Sequence, residues 1–244
     1  MNKIEVGKNK ISSNFPLLIN DSEIVLEDID VFIIYKNTSL SYNFNIKSNV
    51  KIYEYYNNSS SSNTYNLDEN SNLTLNRFSF DCSLISNIYL KYKSNLLYKY
   101  SCINKKDNNY VINVYHEDKD TTSKVVNYGI NVFDKKLDFL INSHIKKQSI
   151  NSNAIQDSKI IEINKGNSSI KPNLIIDNNE ISSSHSAYIG DFKKDNIFYM
   201  QTRGISYEMS RYLLSKSFLI SNIESEELKD LIIKDLDETL KEGV

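Results

Sequence analysis

The stretch Asn173–Phe218, NLIIDNNEISSSHSAYIGDFKKDNIFYMQTRGISYEMSRYLLSKSF, decides how the chain of 244 residues is to be read. Before it, short apolar runs alternate with polar residues. After it, the apolar spacing becomes helical and stays so to the end. A switch of hydrophobic period from two to 3.6 marks a change of architecture. At the junction stand His185, Gly190 and the pair Arg203-Gly204.

Upstream of the junction the pattern is strand after strand. Val31–Tyr35 (VFIIY) is a compact β-branched and aromatic run, and Leu40, Tyr42, Phe44 and Ile46 alternate with polar neighbours as a half-buried strand requires. The alternation returns at Val50 and Ile52, Leu73 and Leu75, Phe78 and Phe80, and through Leu84–Tyr92. It continues at Tyr110, Ile112 and Val114, at Ile130 and Val132, at Leu137, Phe139 and Ile141, and at Ile161 and Ile163. Residues 57–72 (NNSSSSNTYNLDENSN) are nearly free of aliphatics and read as a solvated loop. Many short strands without a helical stretch before Asp195 predict an all-β body: a sandwich, a barrel or a solenoid. No fixed-period repeat chooses among the three.

Downstream, Asp195 or Asn196 is placed to cap a short helix that Gly204 closes, since glycine adopts φ > 0 freely. Ser206 is placed to cap a second helix with Met209, Leu213 and Phe218 near one face. Asn222 is expected to open a third, with Glu224, Glu226 and Glu227 favourably set at the positive end of its dipole. Leu228, Leu231, Ile232, Leu236 and Leu240 recur at three and four residues, and Gly243 follows the last turn. Such a stripe needs a surface to bury against.

Composition narrows the function classes. Lysine and arginine total 29 against 31 aspartates and glutamates, a net charge of −2. No basic stripe points to nucleic acid and no polybasic patch to an anionic membrane. No run approaches the ~20 apolar residues of a membrane span, and the N-terminus has no apolar core of a signal peptide, so a cytoplasmic protein is expected. Two cysteines, Cys82 and Cys102, form neither a C-x-x-C pair nor a disulfide framework and suit a reducing compartment. The abundance of Asn, Ile, Lys, Tyr and Ser matches an AT-rich coding bias, which gives glycosylation sequons such as those at Asn37, Asn58 and Asn72 no weight. Glycine-rich phosphate loops and a G-x-S-x-G elbow are absent. His116-Glu117-Asp118 reads as a solvated turn, because consecutive strand residues point to opposite faces and share a metal poorly. His144 reads as a surface or packing histidine.

The sequence PNLIIDNNEISSSHSAYIG, then FYMQTRGIS and a helix ending in SKSF, resembles the C-terminal part of the SufB/SufD proteins, scaffold subunits of SUF iron–sulfur cluster assembly. The matching positions are Pro172, Leu174, Ile176, Ser184, His185, Ala187, Gly190, Phe198, Tyr199, Arg203, Gly204, Ile205 and Phe218. The ordered match covers about a fifth of the chain, and residues 1–165 share only its texture. The departures are informative. Ser183 stands where many SufD proteins carry a cysteine, Ser186 stands where glycine usually follows the histidine, and no cysteine occurs after Cys102. The chain is therefore closer to SufD than to SufB. It also lacks the N-terminal helical region of longer members.

The resemblance implies a right-handed parallel β-helix over residues 1–190 and a helical segment over 191–244. It implies a non-catalytic, SufD-like scaffold that pairs with a SufB-like subunit, or with itself, through the β-helix. The helical segment would dock a SufC-type ATPase through Tyr207, Met209, Leu213, Phe218, Leu228, Ile232 and Leu236. His185 falls at the contact between the two solenoids and is the candidate iron ligand, imidazole being largely neutral at cytoplasmic pH. No cofactor is expected to be held firmly, with a nascent cluster passing through the interface as cargo. A β-helix acting on polysaccharide would need clustered carboxylates that the sequence does not show. A purely structural solenoid has no use for a specific helical C-terminus.

Overall fold

The computed structural model describes residues 1–7, 11–15, 19–20, 22–164 and 166–241; Gly243 and the side chain of Leu240 lie outside them. Seventeen strands and three helices follow in chain order. One sheet, A, takes β1 (Asn2–Val6), β2 (Ile11–Ser13), β5 (Ile29–Lys36), β7 (Asn49–Asn57), β9 (Asn72–Phe80), β11 (Asn95–Asn104), β13 (Thr122–Asn131), β15 (Ser152–Glu162) and β17 (Ile181–Gly190). Sheet B takes the rest: β3 (Ile19–Asn20), β4 (Glu23–Leu26), β6 (Asn43–Ile46), β8 (Ser60–Leu67), β10 (Ser83–Leu90), β12 (Asn108–His116), β14 (Lys136–Ile145) and β16 (Asn167–Ile176). From β4 onward successive strands alternate between the sheets, and strands one coil apart pair in parallel. The body is a parallel β-solenoid of about seven turns, as the resemblance implied.

The coil length explains why no repeat shows in the sequence. Contacts between equivalent residues of neighbouring coils span 21, then 23, then 27, then 31 positions. The chain turns its corners on left-handed backbone, yet spends almost no glycine there. Among the described residues, seven of the nine non-glycine residues with positive φ are Asn or Asp, including Asn37, Asn58, Asn70, Asp81, Asp120 and Asn151. Their short polar side chains tolerate that region better than other L-residues. The asparagines that look like coding bias thus hold corners.

Inside, one apolar core runs from Ile4 to Ile160. It contains a buried polar knot. Arg77, 1% exposed, donates to Glu54 at 2.6 Å and to the hydroxyls of Tyr65, Tyr98 and Ser86 at 2.7, 2.9 and 2.6 Å. Asn63 donates to the Tyr56 hydroxyl at 2.8 Å and accepts from the Tyr42 amide. This corrects the reading of residues 57–72 as a loop: Ser60–Leu67 is the full strand β8. A strand needs few aliphatics where the interior it faces is lined with hydroxyls and a guanidinium that require partners.

Three helices follow, α1 (Lys194–Thr202), α2 (Tyr207–Ser221) and α3 (Glu226–Lys241), and a second apolar cluster lies outside the solenoid between sheet A and α2 and α3, with α1 packed on α2. The helices run back along the sheet. α2 packs on β11 and β13, and α3 packs on β7 and β9. Gly204 closes α1 at φ 83°, and the Ser206 hydroxyl caps α2 by accepting from the Met209 amide at 3.1 Å, both as expected. Two expected caps differ. Lys193 is the N-cap of α1 and makes no side-chain cap bond. Asn222 ends α2 instead of opening α3, because its amide is drawn into the sheet, donating to the Tyr100 and Val126 carbonyls at 2.9 and 3.1 Å. Ser225 accepts from the Leu228 amide and takes over at α3.

The stripe on α3 finds its surface within the same chain. Leu228, Ile232 and Leu236 are buried against Phe32, Tyr55 and Phe78 of sheet A. The expectation that these three face an ATPase is therefore corrected: their side chains are buried against the chain's own sheet, where burying apolar area is favourable.

Candidate functional site

Among the described residues two apolar surfaces stand out, one on the last coil and one on the returning helices. The first is the last coil of the solenoid. At the opposite end, β2 pairs antiparallel with β1, and β3 with β4, so the chain folds back over its first coil. Among the described residues no strand pairs beyond β16 and β17. Ile175, Ile176, Tyr188 and Ile189 are exposed there, and the outer edges of both strands carry unpaired backbone groups among the described residues. An uncovered edge with apolar side chains invites further strand pairing.

His185 lies in this last coil. The register sets it beside Gln156, whose side chain is buried in the interior, so His185 belongs to the inward face and lines the mouth of the solenoid. It is exposed because no coil follows. Ser183 shares that face, beside the buried Ala154. Beneath the mouth, Gln156 donates to the Ser143 hydroxyl at 2.8 Å and to the Asn173 carbonyl at 3.1 Å. Imidazole at such a mouth can bind a soft or borderline metal and leave further coordination positions to groups from a facing molecule.

The other candidate ligands lie elsewhere. Cys82 and Cys102 are buried, and burial pushes both thiols up to about 12, far from the thiolate form that binds metal. His116, read as part of a solvated turn, is buried as the last residue of β12. Its ring nitrogens meet Thr121 at 2.7 Å and Ser123 at 2.9 Å, and burial lowers its pKa to about 4. The turn folds inward because those hydroxyls satisfy both nitrogens. His144 stacks on Tyr115 at 4.7 Å, a packing role as expected. No group of three or more metal-ligating side chains forms among the described residues.

The second surface is on α1 and α2. Tyr207, Met209 and Leu213 are exposed, as a docking face requires, and Phe218 is half-buried in a stack with Tyr128 at 4.7 Å. The structure adds Phe198, 68% exposed, and Tyr199, which the sequence reading used only as family markers. Adjacent aromatics on a helix with one buried residue, Ile197, were the available signal. Arg211 ties this surface to the last coil, bridging to Asp191 at 3.1 Å and donating to the Ile163 carbonyl at 2.8 Å. Among the described residues no helix is long and apolar enough to cross a membrane.

A family model described as "SUF system FeS cluster assembly, SufBD core domain" matches residues 37–218. A segment of 64 residues is 41% identical to "Protein ABCI7, chloroplastic" of Arabidopsis thaliana. That segment is 25% of this chain and only 14% of the Arabidopsis protein.

Proposed function

The chain belongs to the SufBD core family, which acts in SUF iron–sulfur cluster assembly, and on that premise we propose that it is a non-catalytic, SufD-like scaffold subunit. The observation that carries the reading is the open last coil with His185 in its mouth. A SufB-like solenoid pairs with that end, or a second copy does. The nascent cluster is cargo at the junction, with His185 as a ligand and the remaining ligands from the facing subunit. No resident cofactor is needed, and the setting is the cytoplasm.

A SufC-type ATPase docks on the exposed face of α1 and α2, through Phe198, Tyr199, Tyr207, Met209 and Leu213. Arg211 and Asp191 join that face to the last coil, so a displacement of the helices under ATP hydrolysis is transmitted to the mouth.

The test is co-expression with the SufC-type ATPase and the SufB-like paralogue of the same genome. Met209→Lys with Leu213→Lys should remove the ATPase from the purified complex while the melting temperature holds, since both side chains are exposed. Undiminished ATPase binding would place the docking face elsewhere. Ile189→Asp should release the paralogue, and retention of it would end the open-end reading.

A further inference from the structure

The outer face of sheet B carries a one-way ladder of amides that stops unfinished at the open end. Asn113 donates through Nδ2 to Asn87 Oδ1, Asn142 to Asn113, and Asn173 to Asn142, each at 2.8 Å. Every rung hands its hydrogen to the preceding coil and offers its oxygen to the next. Asn173 stands on β16, the last strand of the sheet, and its Oδ1 has no protein partner among the described residues.

The same molecule shows how such a ladder is completed. On sheet A, Asn72 donates to Asn49 at 2.6 Å and Asn95 to Asn72 at 2.8 Å, and the Thr122 hydroxyl ends the column by donating to Asn95 Oδ1. A hydroxyl one coil on is thus sufficient. The open end carries hydroxyls of this kind on its other edge. Ser182 and Ser184 share the outer face of sheet A with Asn153 and Ile155, and neither hydroxyl has a protein partner among the described residues.

Strands of the two sheets run in opposite directions round each coil. A two-fold axis along the strand direction therefore lays β16 of one copy antiparallel to β17 of another, with their outer faces on the same side. The edge at the N-terminal end is formed by the antiparallel strands β2 and β3, of three and two residues, against ten each for β16 and β17, so head-to-tail stacking would mismatch the edges and an isologous pair is the closing geometry. Resting on the reading of the open end as a pairing surface, we propose that Asn173 is a register-setting contact. Its Oδ1 accepts from Ser182 or Ser184 of a second copy of this chain, twice per dimer by symmetry. A one-residue slip would turn every outer side chain to the opposite face, so the ladder selects the register in which these groups meet.

The experiment is sedimentation velocity of the purified full chain over a concentration series. Asn173→Leu keeps the volume and removes the acceptor, and should weaken dimerisation about tenfold, as two lost hydrogen bonds imply. Ser182→Ala with Ser184→Ala should weaken it by a similar factor, and adding Asn173→Leu to that pair should cost nothing further. Asn113→Leu, which breaks the ladder inside the body, should leave the dimer constant unchanged. Melting temperatures of all variants establish that the body is folded. A dimer broken by Ile189→Asp but indifferent to Asn173→Leu overturns the contact and leaves the open end as the pairing surface. A wild-type chain that stays monomeric at every concentration, or a dimer indifferent to Ile189→Asp, overturns the proposal. Release of the paralogue by Ile189→Asp is the separate measurement that decides the open-end reading itself.

Discussion

The two ends of the solenoid differ in what happens to the next strand. At the N-terminal end the chain supplies it, reversing direction so that β2 and β3 pair antiparallel with β1 and β4. At the C-terminal end the chain leaves sheet geometry after Gly190 and returns as helices along the side of sheet A, leaving β16 and β17 bare. A parallel stack has no intrinsic stopping point, so each end must be closed or kept as an interface. The body between them is sealed on its inside by the Arg77 knot and along sheet A by α2 and α3. Stability should accordingly reside in the body and association at the bare end.

The largest test of that division lies inside the body. Arg77→Ala leaves Glu54 and three hydroxyl-bearing neighbours without their central donor and should cost about 3–5 kcal/mol, read as a fall in the denaturant midpoint. If the joint replacement of Arg77 and Glu54 by apolar residues recovers most of that loss, the knot serves register more than stability.

Next in size is Ile232→Ala in the seam between α3 and sheet A, expected to cost about 2–5 kcal/mol. The purified complex should still bind the ATPase when the protein is folded, because Ile232 faces the sheet. Selective loss of the ATPase from a stable Ile232→Ala protein would move the docking face to α3.

The same seam should respond to pH. Tyr55 donates to Asp235 at 2.9 Å, and burial raises the Asp235 carboxyl to about 6. The folded state then binds a proton more tightly than the unfolded chain. The resulting stability is fully present below the ordinary carboxyl range near 3.8 and lost as pH rises through about 6. For this group alone, the protein should be more stable at pH 5 than at pH 7 by on the order of 1–2 kcal/mol. Asp235→Asn should flatten that part of the profile, and an unchanged slope in chemical denaturation would remove Asp235 as its source.

The smallest effects on stability should come from the bare end. His185→Gln should shift unfolding by less than about 0.5 kcal/mol yet abolish complementation of cluster-dependent growth, because an amide is a poor iron ligand. Ser183→Ala should be nearly silent in both assays. Full complementation by a folded, correctly assembled His185→Gln protein would leave the histidine a structural residue and put the ligands on the partner.

Much of this was legible along the chain. The switch of period after Gly190, the Ser206 cap and Gly204 at positive φ followed from side-chain pattern and backbone chemistry, which act over a few residues. The stripe on α3 announced that it needed a surface, and His185 was picked out by its surroundings in the sequence. The rest depends on contacts between residues about 21 to 31 positions apart. Local pattern left sandwich, barrel and solenoid open, because all three use the same alternating strand. It also hid β8, whose serines and asparagine make sense only beside the tyrosines and arginine of neighbouring coils. The surface that buries α3 proved to be the chain's own sheet, which turned Leu228, Ile232 and Leu236 from docking residues into core. Periodicity states that a face must be covered, since burying apolar area is favourable wherever the partner comes from. Only the tertiary structure decides which surface covers it, and here it left uncovered the last coil and the outer face of α1 and α2.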